Sequence, residues 1–222
     1  MFTTIQAHEY ARYPSLLDQM FRTRKAVFSD TLGWDVSIKG DYERDEYDQL
    51  EPVYLVWCNE GRNRLYGSMR LLPTTGPTLL YDVFRETFPN ATNLIAPGIW
   101  EGTRMCIDEK AIALDMPEMS SGRAFSLLFA ALCECALEHG IHTMISNYEP
   151  HMKLIYKRAG AEVQELGRAD GYGKYPVCCG AFEVSKRVLV AMRAKLGISR
   201  ELYSPAFHPE PFPAAPSQNI AA

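Results

Sequence analysis

The sequence predicts one three-layer α+β domain, and three observations carry that prediction. The 222 residues are 47% hydrophobic, enough to bury a real core in one large domain or two small ones. Segments of helical period are interleaved with short apolar runs of strand length. Some of those runs follow one another directly, so the order is mixed rather than strictly alternating. The domain is expected to span residues 1–203, with residues 204–222, rich in Pro and Ala, as a disordered tail.

Leu17, Met20, Phe21, Val27 and Phe28 recur at helical spacing, so residues 15–28 read as an amphipathic helix, and Arg24 falls on the same stripe. A polar loop follows over residues 29–51, dense in acids (GDYERDEYDQLEP). PVYLVWC is an apolar run short enough for a buried strand; RLYGSMRLLP and GIWEGTRMCI are further strand candidates. Between the last two, PTTGPTLLYDVFRETFPNATN carries the Pro, Gly and Asn signals of loop and short helix. From Ser121 the positions Phe125, Leu128, Phe129, Leu132 and Cys135 keep helical period until Gly140. IHTMISNY then reads as a strand and HMKLIYKRAG as a helix ending at Gly160. PVCCGAFEV reads as a last strand before the helix SKRVLVAMRAKLG.

Composition excludes several functions. A net charge of −4 with no long basic run gives no footprint for nonspecific nucleic-acid binding. No stretch approaches the ~18 apolar residues of a membrane helix, and the first residues lack a basic leader, so no membrane association and a cytoplasmic location are expected. The six cysteines lack CxxC spacing and read as small core residues. No metal site is expected.

The inward cation Arg24 needs anionic company, because an unpaired buried charge costs several kcal/mol. Candidates are Glu43, Asp45 and Asp48 in the acidic loop, and Glu101. Arg70 in SMRLL and Arg104 in WEGTRM add two more cations. Residues 101 and 104 of a regular strand point to opposite faces, so a bulge, expected at Gly102, is needed to bring them together.

At these residues the chain resembles the LuxI-type acyl-homoserine lactone synthases. Arg24, Phe28 and Trp34 match the family's opening arginine, phenylalanine and tryptophan. Glu43, Asp45 and Asp48 match its E-x-D-x-x-D acids, and Gly67 and Arg70 its G-x-x-R strand. Phe84 in LLYDVF matches its loop phenylalanine. Trp100, Glu101, Thr103 and Arg104 match W-E-x-[ST]-R. The likeness covers roughly residues 10–165. It implies an N-acetyltransferase-like three-layer sandwich, a mixed twisted sheet with a V-shaped cleft. It also implies S-adenosyl-L-methionine and an acyl thioester, on acyl carrier protein or coenzyme A, as substrates, with no further cofactor.

In the implied reaction the methionine amine attacks the thioester, and the methionine carboxylate then displaces methylthioadenosine to close a lactone. Glu101 is the first choice for the base, with Asp45 as alternative and Arg104 assisting. Arg24, Phe28, Trp34, Asp45, Asp48 and Arg104 are the expected S-adenosylmethionine contacts, and Glu43 and Arg70 complete the charge cluster. Four acids against three arginines leave −1, complementary to a cationic substrate. Phe28 and Trp34 have aromatic faces suited to a sulfonium and adenine. The acyl pocket is expected from Met144, Ser146 and Tyr148 with Phe84 and Trp100, and its polar residues favour a short, branched or substituted acyl group. Lys153, Lys157 and Arg158 are the candidate carrier-docking residues, as an alternative to a solvated helix face. An N-acetyltransferase and a noncatalytic sensor of S-adenosylmethionine or lactone remain as alternative readings.

Overall fold

The structure, a computed structural model, describes residues 1–205; the expected disordered tail lies, from residue 206 on, outside the described residues. In chain order the elements are β1 (Phe2–Ile5), α1 (Pro14–Arg24), β2 (Ile38–Lys39), β3 (Tyr42–Glu43), β4 (Val53–Cys58) and β5 (Leu65–Pro73). There follow α2 (Leu79–Asp82), β6 (Ile99–Ile107), α3 (Glu109–Asp115), α4 (Ser121–Glu138) and β7 (Thr143–Tyr148). The chain closes with α5 (Met152–Ala159), β8 (Val163–Ala169), β9 (Val177–Glu183) and α6 (Lys186–Leu196). The central sheet runs β1-β4-β5-β6-β7-β9-β8. The β6–β7 pair is parallel and its other pairs are antiparallel.

Burial on both faces explains the unbroken apolar run of β4. Val53, Leu55 and Trp57 enter the main core with Ala124, Leu128 and Leu132 of α4. Tyr54, Val56 and Cys58 face the other way and pack with Leu16 and Met20 of α1. The sheet is thus covered on both sides, giving the three layers expected. All six cysteines are buried free thiols. Among the described residues no helix is long and apolar enough to cross a membrane, and no group of three or more His, Cys, Asp or Glu is placed to hold a metal ion.

Three local departures bear on the site. Helix α1 does not continue to residue 28: it ends at Arg24, and Lys25–Thr31 form a wider π turn. Thr31 Oγ1 donates to the Ala26 carbonyl at 2.8 Å within that turn, and Phe28 lies buried there. Secondly, the bulge in β6 is not at Gly102. Arg70 faces Thr103 and Ser68 faces Cys106, so the extra residue falls at Arg104–Met105, where Arg104 has φ +55°. Gly102 instead makes room: a Cβ there would lie 2.2 Å from Met69 Cε, so its missing side chain is what lets Met69 pass. Thirdly, α4 is capped by Ser120, whose side chain accepts from the Arg123 amide. Ser121, where the helical period begins in the sequence, donates to Glu109.

The wedge expected in the sheet has a plain cause. β6 and β7 pair over only three rungs, Ile99–Thr143, Trp100–Met144 and Glu101–Ile145. Beyond Glu101 the strands part, although β6 continues to Ile107 and β7 to Tyr148. At the parting point Ser146 Oγ donates to the Gly102 carbonyl at 2.9 Å, replacing the next rung with a side chain.

Candidate active site

Three arginines and three carboxylates from four parts of the chain meet beside the wedge. Arg24 pairs with Glu43 at 2.5 Å and with Asp48 at 2.8 Å. Arg70 pairs with Asp45 at 2.5 Å and Asp48 at 3.0 Å, and its Nε donates to Thr103 Oγ1. Arg104 closes the set on Glu43 at 3.0 Å and Asp45 at 3.1 Å. Each arginine therefore spans two acids and each acid spans two arginines. The Asp45 amide and the Tyr54 hydroxyl also donate to Asp48.

Burial alone would drive these groups neutral. It works against the charged form of Asp48, but Arg24 and Arg70 outweigh it and hold that carboxyl below the ordinary range. Burial likewise opposes the charge on Arg24, while Asp48 and Glu43 raise its pKa overall. The left-handed backbone of Arg104 costs on the order of 1 kcal/mol, and its two carboxylate partners hold it there.

Glu101 stands apart from this network. It is completely buried, and among the described residues neither of its oxygens has a hydrogen-bond partner. Burial pushes its pKa up from 4.5 to about 7; Arg70, the Leu80 and Leu79 amides and Arg104 pull the other way. The Leu79 and Leu80 amides face it without completing hydrogen bonds of normal geometry. The count of four acids against three arginines thus needs correction: the network itself is balanced, and the extra negative charge belongs to Glu101, present only when that residue is ionised.

A cavity of about 1880 Å³ passes through the wedge, above the ~300–1,000 Å³ of a site for one small ligand. Glu101, Asp45, Arg104, Phe28 and Trp34 line it. Arg24, Arg70, Glu43 and Asp48 do not, so Arg24 and Asp48, expected to touch substrate, stand beneath the wall and support it. Phe28 and Trp34 stack at 5.2 Å, and Arg104 lies 5.6 Å over the Phe28 ring on its way to the acids. Trp34 is 38% exposed, and its Nε1 donates to Glu149 at 3.1 Å, joining two lips of the cavity.

On the acyl side, Met144, Ser146, Tyr148 and Phe84 line the cavity and Trp100 does not. Trp100 is buried in the main core with its Nε1 donating to Pro97. The polar character expected of this wall is consumed in part: Ser146 Oγ serves Gly102 and Asn147 Nδ2 donates to Thr87, while Asn147 Oδ1 and the Tyr148 hydroxyl have no hydrogen-bond partner among the described residues. The three cations of the carrier-docking expectation also divide. Lys153 is paired with Glu165, which Arg168 also holds, while Lys157 and Arg158 are exposed.

Sequence reasoning missed Tyr47, whose ring lies 5.6 Å from Arg70, and Glu149; both line the cavity. Tyr47 sits inside the E-R-D-E-Y-D run, so its neighbourhood to Asp45 was readable. Glu149 lies 115 residues from Trp34, and no local pattern links them. Strands β1 and β8 were missed as well.

Comparison with known proteins gives a consistent picture. A family model described as autoinducer synthase matches residues 8–191. An acyl-homoserine-lactone synthase of Rhizobium etli is 39% identical over 191 residues, covering 85% of this chain and 86% of that protein. The structure of a CoA-dependent acyl-homoserine lactone synthase, BjaI, with SAM and isopentyl-CoA, is 25% identical, with a TM-score of 0.80 over 93% of each chain. A structure described as a putative N-acetyltransferase from Lactobacillus plantarum is 18% identical, with a TM-score of 0.51, covering 83% of this chain and 99% of that one; the likeness is one of fold.

Proposed function

The chain belongs to the autoinducer synthase family, and from that premise we propose how its wedge makes an acyl-homoserine lactone. The substrates are S-adenosyl-L-methionine and an acyl thioester, on carrier protein or coenzyme A, met in the cytoplasm. The observation that supports this reading most directly is the pairing of a balanced ionic platform with one buried, unpartnered carboxyl, Glu101, on the wall of a cavity large enough for two substrates.

The aromatic pair Phe28 and Trp34 receives the adenosyl sulfonium end, where ring faces attract a cation and stack on a base. Arg104 and Asp45, fixed by their mutual ion pair, orient the methionine carboxylate and amine. Glu101 is the general base. An α-amino group titrates near 7.7–8.0, and a carboxyl raised to about 7 is closely matched to accept its proton. The freed amine attacks the thioester carbonyl; a C–N bond forms, the C–S bond breaks, and the nitrogen sheds its second proton as the amide forms, so that of the two protons it has lost one leaves on the thiol and the other passes from Glu101 to solvent. The methionine carboxylate then attacks the carbon bearing the sulfonium, closing the ring by C–O bond formation as methylthioadenosine departs.

The test is to incubate the purified protein with S-adenosylmethionine and an acyl thioester and to assay both methylthioadenosine and acylated lactone. Stoichiometric appearance of the two is expected. Binding of S-adenosylmethionine without either product would overturn the reading in favour of a sensor.

A further inference from the structure

The base and the ionic platform share no hydrogen bond, and their connection runs through a side chain with no part in the reaction itself. Glu101 has Leu72 as its register partner on β5 and Ile145 on β7, so the three side chains stand in a row on one face of the sheet. Helix α2 lies across that row. Leu79, its first residue, shares a small apolar cluster with Leu72 and Tyr47, and Leu80 shares another with Ile145 and Cys179. The two leucines therefore straddle Glu101, which puts their amides over its carboxyl. Burial favours the protonated form of that carboxyl; Arg70 and the Leu80 and Leu79 amides favour the charged one.

Little in α2 itself keeps those amides in place. It is one turn of four residues, far below the length at which a helix stands alone in water. Thr78, at its N-cap, makes no capping hydrogen bond, and its buried hydroxyl has no partner among the described residues. At the other end Asp82 is exposed, and the Tyr47 hydroxyl donates to its Oδ2 at 3.1 Å. Tyr47 is itself fixed from the platform side: its amide donates to Asp45 Oδ1 at 3.0 Å, and Asp45 is held by Arg70 and Arg104. A continuous line thus runs from the arginines through Asp45, Tyr47 and Asp82 to α2. We propose that Tyr47 is a positioning residue for the base: by holding Asp82, its hydroxyl keeps the Leu79 and Leu80 amides over Glu101. The proposal rests on the reading of Glu101 as the base of a lactone synthase.

Tyr47→Phe keeps the ring in its apolar cluster and removes only the hydroxyl. With the amides free to turn away, Glu101 loses donors that favour its charged form. The limb of the kcat/KM profile expected at about pH 7 should then move up by about 0.5–1 pH unit, the worth of one hydrogen bond. The loss of kcat/KM is roughly 2–6-fold at neutral pH and closes by about pH 9. Asp82→Ala should give the same displacement, and the double variant no more than either alone. Asp82→Asn, which keeps an acceptor for the phenol while removing the charge, should give a profile close to the wild type. An unmoved limb in Tyr47→Phe, a loss equal at every pH, or an Asp82→Asn profile as displaced as that of Asp82→Ala overturns the proposal. The displacement is also read without turnover: the stability difference between Glu101→Gln and its parent should level off at a higher pH when Tyr47→Phe is added, and its absence overturns the positioning. If that shift is found and the wild type makes no lactone, the positioning stands and it is the functional reading that fails.

Discussion

Arg24 holds Glu43 through Oε2 at 2.5 Å, and the remaining oxygen of that fully buried carboxylate is left for Arg104. The arginine on the first helix therefore reaches the cavity wall through one shared acid. Arg24→Ala would strand Glu43 and Asp48 without their main counter-charge. The expected loss of stability is about 3–5 kcal/mol, measured by urea denaturation, with a fall in turnover as Arg104 loses its anchor. A variant of unchanged stability and activity would contradict the shared-acid arrangement.

Glu101→Gln is expected to fold normally, because no hydrogen bond or ion pair of that side chain is lost. Its kcat/KM should fall roughly 10²–10⁴-fold, with S-adenosylmethionine binding weakened less. Wild-type turnover would remove Glu101 from the reaction.

The same residue makes a stability prediction of definite sign. Its folded pKa, about 7, lies above the ordinary 4.5, so the folded state favours the protonated form. The stabilising contribution is fully present below pH 4.5 and is lost as pH rises through about 7. At pH 8 the Glu101→Gln protein should therefore exceed the wild type by about 3 kcal/mol, and the difference should vanish at acid pH. Denaturation curves for both proteins across this range check it.

Bringing a cationic substrate into the cavity that Glu101 lines must favour its ionised form. Binding of S-adenosylmethionine near pH 7 should accordingly release roughly half a proton, read by calorimetry in two buffers of different ionisation enthalpy. Because kcat/KM reports the free enzyme, it should rise with pH through about 7 as the base becomes ionised.

Trp34→Phe keeps a ring for Phe28 to stack on but removes the donor that reaches Glu149. The KM for S-adenosylmethionine should rise several-fold with kcat nearly preserved. Trp34→Ala, which removes the stack as well, should raise it by roughly a further 2–10-fold, the worth of an aromatic pair.

Much of this architecture was readable because it obeys local rules. Helices α4, α5 and α6 announce themselves by period and by caps, and α5 ends at Gly160 with φ +86° as a helix-stopping glycine should. An arginine on an apolar stripe implied acids, and the structure brings Glu43 and Asp48 to it. What stayed hidden depends on through-space distance. The bulge lies at Arg104 and not at Gly102, since a non-glycine is held at positive φ there by Glu43 and Asp45, which no neighbour in sequence specifies. Glu101 reads like any other acid in sequence, yet the fold isolates it. β8 has no fully buried position, so its sequence carries no apolar alternation to mark a strand, and β1 is four residues long.

The three rungs between β6 and β7 divide the sheet mechanically into two leaves, β1-β4-β5-β6 and β7-β9-β8, joined along a short hinge line. Past Glu101 the molecule has edges in its own interior, and whatever occupies the gap touches both leaves at once. Substrate thus acts as mortar in an unfinished seam. Amide exchange should slow across β6 and β7 together when the gap is filled, and turnover, by emptying it, should return the two leaves to independent breathing.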